Sequence, residues 1–196
     1  EAAYTPHLDR LAIESACGFT IPVALGVTPG SGPGHLALFG YDPLRYNIGR
    51  GVLEAIGIDF DLRPSDVAAR GNFCTVDDAG RIVDRRAGRI STERCAELVA
   101  GLRAITLDGV DVFVEPVREH RFVLVLRGPN LSDALADTDP QMEGAEPLRP
   151  RAASPQGEAT ALIVTRFVQR AQQYLADKSP ANMLLLRGFA KRPDWP

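Results

Sequence analysis

An α/β protein is predicted by three features of this 196-residue sequence. Helix-period apolar patterns alternate along the chain with β-rich runs such as "VDVFVEPV" and "HRFVLVLRG". Glycine-rich turns join the two kinds of segment, and a 45% hydrophobic, 24% charged composition supplies enough apolar surface for a buried core. The length fits one or two compact domains, with the texture changing to an α+β insert from about Asp59.

The elements follow in order. "TPHLDRLA" opens a helix, with Thr5 as cap, Pro6 at the first helical position and Leu8, Leu11 and Ala12 on one face; it should fade by Gly18. "TIPVALGV" reads as a short strand or extended run feeding the loop "VTPGSGPGHLALFGYDP", where helical spacing resumes until Asp42 and Pro43 break it. "NIGRGVLEAIG" repeats the glycine-flanked turn, with Arg50 entering a short helix. "VAARGNFCTVDDAGRIVDRRAGRI" reads as a hairpin around Asp-Asp-Ala-Gly. "STERCAELVAGLRAI" is a helix capped by Ser91, with Ala96, Leu98, Val99 and Leu102 as its apolar face. After the two β-rich runs comes a long Pro- and acid-rich loop, which is either a functional lid or partly mobile. "EATALIVTRFVQRAQQYLAD" is a helix and "ANMLLLRG" a buried strand.

Composition excludes several function classes. A formal net charge of −3 and a pI near 5.7 give no global attraction to nucleic acid or an acidic membrane. Cys17, Cys74 and Cys95 are odd in number and widely spaced, without disulfide or zinc-ligand spacing, and read as reduced thiols of a cytoplasmic protein. No apolar run approaches the roughly 18 residues of a membrane span. The chain starts at Glu1 with helical pattern almost at once, which reads as a cut inside a longer protein.

Two patterns can carry chemistry. Ser31 sits in a Gly/Pro-rich loop before a helix, where backbone can approach a ligand closely and unpaired N–H groups face an anion; a plain surface turn is equally compatible with the local pattern. Arg50, Arg70, Arg85, Arg86, Arg89, His120, Arg121 and Arg187 include several arginines beside glycine, where a guanidinium fork can reach a phosphate or carboxylate. Taken alone, "DRRAGR" reads better as a solvated hairpin edge. Asp133, Asp137 and Asp139 read as solvation and turn formation before metal ligation, and His7, His35 and His120 show no metal-ligand spacing.

The ordered segments "TPHLDRLA", "VTPGSGPGHLALFGYDP", "GRGVLEAIGI", "DVAARGNFCTVD", "GRIVDRRAGRIS", "EHRFVLVLRG", "DTDPQ" and "ANMLLLRG" resemble the archaeal-type cofactor-independent phosphoglycerate mutases of the alkaline phosphatase superfamily, over nearly the whole chain. The resemblance implies that Ser31 is a phosphoryl-accepting nucleophile and itself a metal ligand. It implies two divalent metal ions (manganese, magnesium or zinc) in the full-length enzyme and no 2,3-bisphosphoglycerate. Arg50, Arg70, Arg85, Arg86, Arg89, His120 and Arg121 would hold a small phosphorylated carboxylic acid. Residues 1–58 would be part of an alkaline-phosphatase-like core, 59–190 an inserted mixed-sheet cap with helices, and 191–196 the return to the core. The family's Asp-Gly strand before "TPHLDRLA" and its Asp and His residues after "RGFAKRPDWP" are not in this sequence, so most metal ligands are expected outside the chain, and the chain by itself is expected to be inactive with its first 55 or so residues poorly supported. Another phosphotransferase or phosphatase of the superfamily, such as a homoserine kinase-like enzyme, and a non-catalytic binding module are the alternatives.

Overall fold

The computed structural model describes residues 3–26, 29–46 and 48–194, with the side chain of Ser31 also outside the description. The chain divides into two compact units, Glu1–Arg45 and Tyr46–Pro196.

The first unit holds α1 (Pro6–Glu14) and α2 (Ser31–Leu38). Proline at the start of α1 suits a position whose N–H needs no partner. Thr5 precedes the helix but its hydroxyl donates to the Asp9 carboxylate at 3.1 Å rather than capping a backbone N–H, which corrects the expected cap. α1 ends at Glu14 and buries none of its residues. Residues 20–26 form bends and turns, with no strand among the described ones; Val27 and Thr28, which complete the expected run, lie outside the description. α2 opens behind Gly30 and stops at a turn in which Tyr41 N–H donates to Leu36 at 2.9 Å, ahead of Asp42 and Pro43.

The second unit is built on one sheet. β1 (Val67–Val76) pairs with β4 (Arg121–Arg127), with β5 (Met183–Ala190) and, at its end, with the short β2 (Ile82–Asp84); β3 (Asp111–Arg118) pairs with β4. Every described pairing is antiparallel, so the sheet expected to be mixed is not: hairpin turns connect β1 to β2 and β3 to β4, and short turns of that kind join only antiparallel strands. The Asp-Asp-Ala-Gly turn forms as read, Asp77 N–H donating to Arg81 O at 2.9 Å.

Side-chain alternation divides the sheet into two faces. One face packs Phe73, Phe122, Leu124, Leu126, Leu184 and Leu186 against α4 (Thr92–Leu102) and α5 (Glu158–Leu175). α4 offers Cys95, Leu98, Val99 and Leu102 at helical spacing and starts where Ser91 Oγ accepts from Arg94 N–H at 3.2 Å. α5 offers Val164, Phe167, Ala171 and Leu175. Phe73 and Phe122 stack tilted with centroids 4.8 Å apart, and each such buried ring contributes about 1.5–3 kcal/mol by leaving water.

The opposite face carries α3 (Arg50–Gly57) at one end, where Val52 and Ala55 pack on Ala68, Val123, Val125 and Ala190. The approach is close enough to require glycine twice. A Cβ at Gly51 would collide with the Ala68 carbonyl, and one at Gly188 (φ +60°) would lie 2.7 Å from Arg50 Cβ. Gly51→Val should therefore destabilise the 196-residue chain by about 2–4 kcal/mol, read as a lower urea midpoint; an unchanged midpoint would mean that α3 is free to lift off.

The acidic loop does not stand apart. Its Asp-Thr-Asp segment runs along β5: Thr138 N–H donates to Leu186 O at 2.8 Å, Leu186 N–H returns to Thr138 Oγ1 at 2.8 Å, and Gly188 N–H donates to Asp137 Oδ1 at 2.7 Å. The outer edge of β5 is covered by a backbone donor and side-chain acceptors where another strand would sit. All three cysteines are free thiols, Cys74 and Cys95 buried and Cys17 exposed. No helix among the described residues is long and apolar enough to cross a membrane.

Candidate functional site

Between the α3 end of the sheet and the Cys74, Met183 and Leu185 cluster, the same face carries a polar stripe. Arg70 and Arg187 are direct cross-strand partners, as are Asn72 and Arg121, so alternation brings all four side chains to one side. Three of the four buried side-chain atoms without a hydrogen-bond partner among the described residues belong here: Arg70 Nε, Asn72 Oδ1 and Arg187 Nε. Buried polar atoms without a hydrogen bond are costly and rare; the two Nε atoms face carboxylates only as ion pairs, Arg70 with Glu54 and Arg187 with Asp137, and Asn72 Oδ1 has no hydrogen-bond partner among the described residues, so the stripe is the candidate place for a polar ligand.

The charges are held by three carboxylates, one from α3 and two from the segment along β5. Glu54 on α3 lies 3.2 Å from Arg70 Nε and 3.7 Å from Arg121 Nη1. Asp139 has a fully buried side chain, takes Arg85 through both its oxygens at 3.1 and 2.6 Å, and lies 3.3 Å from Arg187 Nη1. Asp137 reaches Arg187 Nε at 3.7 Å. Burial opposes the charge on Asp139, but hydrogen bonds from Arg85 and from the Gln141 N–H outweigh it and hold the carboxyl below the usual range. Arg70 is shifted down, first by burial and then by Arg121, Arg50 and Arg187, against which Glu54 acts. Asp137 and Asp139, read from the sequence as solvated turn residues, thus orient guanidinium groups.

The other sequence candidates lie around this stripe. Arg50 is exposed at the first turn of α3, near enough for its charge to act on Arg70. Arg85 joins through Asp139. Arg86 and Arg89 are exposed on the connection between β2 and α4; the Arg86 N–H donates to Asp84 at 2.7 Å, and Arg89 Nη1 donates to Glu119 at 3.1 Å. His120 is buried at the β3–β4 turn, with Nδ1 unsatisfied and 3.9 Å from Glu119 Oε2. Ser31 begins α2 in the other unit and its side chain lies outside the description. Glu54 and Asn72 were not singled out from the sequence. The signal for Glu54 was a lone carboxylate one helical turn after Arg50 in an otherwise apolar "GVLEAIG".

Burial, followed by the nearby Arg121 charge, pushes His120 down to about 4. Its folded pKa is below the ordinary 6.5, so the unfolded chain binds this proton first and stability falls as pH drops from about 6.5 towards 4. His120→Gln should remove that slope: between pH 7 and pH 5 the wild-type chain should lose about 2 kcal/mol more unfolding free energy than the variant. Parallel losses in urea melts at both pH values would rule out a neutral buried imidazole.

Among the described residues no group of three or more His, Cys, Asp or Glu side chains is placed to hold a metal ion, and Asp137 and Asp139 are engaged by arginines. These residues do not fit a two-metal site by themselves.

Comparison with known proteins relates this geometry to a family. The family model described as 2,3-bisphosphoglycerate-independent phosphoglycerate mutase matches residues 12–182. Relatives called probable 2,3-bisphosphoglycerate-independent phosphoglycerate mutases are 49% identical over 205 residues in Aquifex aeolicus and 50% identical over 198 residues in Thermus thermophilus. Both alignments take in 100% of this chain and, respectively, 50% and 49% of the relative. The chain thus spans about half the length of these relatives. A cofactor-independent phosphoglycerate mutase structure from Thermoplasma acidophilum superposes with a TM-score of 0.70 at 39% identity, over 83% of this chain and 47% of that one. With a match over most of its length and a shared fold, the chain belongs to the 2,3-bisphosphoglycerate-independent phosphoglycerate mutase family.

Proposed function

We propose that the full-length protein carrying this chain interconverts 3-phosphoglycerate and 2-phosphoglycerate without 2,3-bisphosphoglycerate. The observation that carries the reading, beyond family membership, is the stripe of Arg70, Arg121 and Arg187 with its unsatisfied buried atoms. A ligand with both a phosphate and a carboxylate needs several guanidinium forks, and charge-assisted hydrogen bonds from them would hold it while it turns.

In this reading Ser31 is the nucleophile. Its oxygen bonds to the phosphorus of 3-phosphoglycerate as the ester bond to the 3-oxygen breaks, the serine proton leaving and the glycerate oxygen taking one up. The glycerate then turns, and its 2-oxygen takes the phosphoryl group back, restoring the serine hydroxyl. Water must be kept out or the phosphoserine would hydrolyse. Residues 59–190 are proposed as the substrate-holding cap, with Arg50, Arg85, Arg86, Arg89 and His120 completing the grip, residues 1–58 as the nucleophile-bearing segment and 191–196 as the return to the core. Two divalent ions would polarise the phosphoryl oxygens when bound, with ligands proposed to lie outside the described residues.

The test is an enolase-coupled assay of the full-length protein with manganese and 3-phosphoglycerate, with no added bisphosphoglycerate. Formation of 2-phosphoglycerate is expected. Release of inorganic phosphate, or phosphorylation of homoserine from a nucleotide donor, without 2-phosphoglycerate would reassign the protein to another phosphoryl-transfer reaction.

A further inference from the structure

The polar stripe poses an electrostatic problem that a ligand-free protein has to solve. Arg50, Arg121 and Arg187 all act on the charge of Arg70, and like charges brought to one sheet face repel one another. Long guanidinium side chains under that repulsion swing outward to water unless something draws them in. Glu54 is placed to do so. The same carboxylate oxygen, Oε1, faces Arg70 Nε and Arg121 Nη1, and its side chain is only 13% exposed.

Two features make this more than a surface ion pair. Glu54 stands on α3, whose start is locked to the sheet by the close approaches at Gly51 and Gly188, so the carboxylate is carried by a fixed element rather than a loop. It also meets Arg70 at Nε, the elbow of the side chain, which leaves the two terminal nitrogens on the far side of the guanidinium carbon. The contact fixes orientation without occupying the fork. Asp137 likewise faces Arg187 at Nε, whereas Asp139 lies against its terminal Nη1.

We propose that Glu54 is a positioning residue for anion recognition: its carboxylate holds Arg70 and Arg121 turned towards the ligand position while touching no part of the ligand. The proposal rests on the phosphoglycerate reading for the identity of the anion, but the positioning itself does not.

The experiment uses the full-length protein carrying this chain, labelled with nitrogen-15, and follows the arginine Nε–H signals by NMR. Arg70→Lys and Arg121→Lys identify the two signals. In Glu54→Gln, which keeps shape and removes charge, the Arg70 and Arg121 signals should move to the positions and exchange rates of solvent-exposed arginine, while backbone amides away from α3 stay in place. Glu54→Asp should keep an intermediate position. Titration with 3-phosphoglycerate should show a dissociation constant raised at least tenfold in Glu54→Gln and by a smaller factor in Glu54→Asp. Arginine signals unchanged in Glu54→Gln, affinity equal to or tighter than wild type, or loss of the dispersed backbone spectrum would each overturn the proposal, the last by making Glu54 a folding residue. If the arginine signals respond to Glu54 but the wild-type full-length protein shows no response to 3-phosphoglycerate, the positioning role stands and the substrate reading fails.

Discussion

Ser31→Ala in the full-length protein is expected to lower the interconversion of 3- and 2-phosphoglycerate by a factor on the order of 10⁴ or more, because in the proposed mechanism its oxygen is the group that accepts the phosphoryl group. The measurement is the enolase-coupled rate, with phosphate release followed in the same samples. Binding of 3-phosphoglycerate should survive the substitution, since the proposed grip comes from arginines on a different part of the chain. Activity within a few fold of wild type would remove Ser31 from the mechanism and return its loop to the plain-turn reading. A variant that loses both turnover and binding would point instead to a collapsed loop, which Ser31→Thr separates by keeping a hydroxyl there.

The second large effect is expected at the stripe. Arg70→Ala should lower kcat/KM for 3-phosphoglycerate by roughly 10²–10³, the loss of a charge-assisted fork from a buried anion, about 3–4 kcal/mol. It also leaves Glu54, whose side chain is 13% exposed, with Arg121 at 3.7 Å as its remaining cationic partner. Part of the loss therefore comes from a carboxylate left with less counter-charge beside an anionic ligand. Arg70→Lys distinguishes the two contributions: it keeps the charge near Glu54 but has no planar fork. Recovery close to wild type in Arg70→Lys would mean that Arg70 supplies charge alone, and unchanged kinetics in Arg70→Ala would move the substrate grip elsewhere.

The relation of Glu54 and Asp139 to the arginines bears on how such a site stays folded while empty. A cluster of cations on one sheet face is unstable without counter-charge, and the protein answers with carboxylates that approach from a helix on one side and a strap on the other. In the proposed reading the ligand would enter a set of guanidinium groups already ordered, so that less rotamer freedom would be lost on binding.

Much of this was legible in the residues themselves. Ser91 before an apolar periodic run, Asp-Asp-Ala-Gly between two β-rich runs, and the eighteen-residue helix of α5 are local signals, and each formed where its pattern placed it because capping, turn geometry and periodicity act over a few neighbours. Arg70 stood out as a candidate through its residue type beside Gly71, and Arg121 through its residue type and the resemblance of "EHRFVLVLRG". What local pattern could not decide is which distant residues share a face. Asn72 opposite Arg121 and Arg187 opposite Arg70 are facts of strand register, set by which apolar side chains must point at α4 and α5. The same holds for Asp139, which looks solvated in an acidic loop and is buried because that loop lines the edge of β5. Thr5 shows the reverse case, a good capping residue whose hydroxyl found the Asp9 side chain instead. Local chemistry determined most of the elements; long-range pairing, driven by burial of the sheet's apolar face, decided which charges meet and which carboxylates hold them.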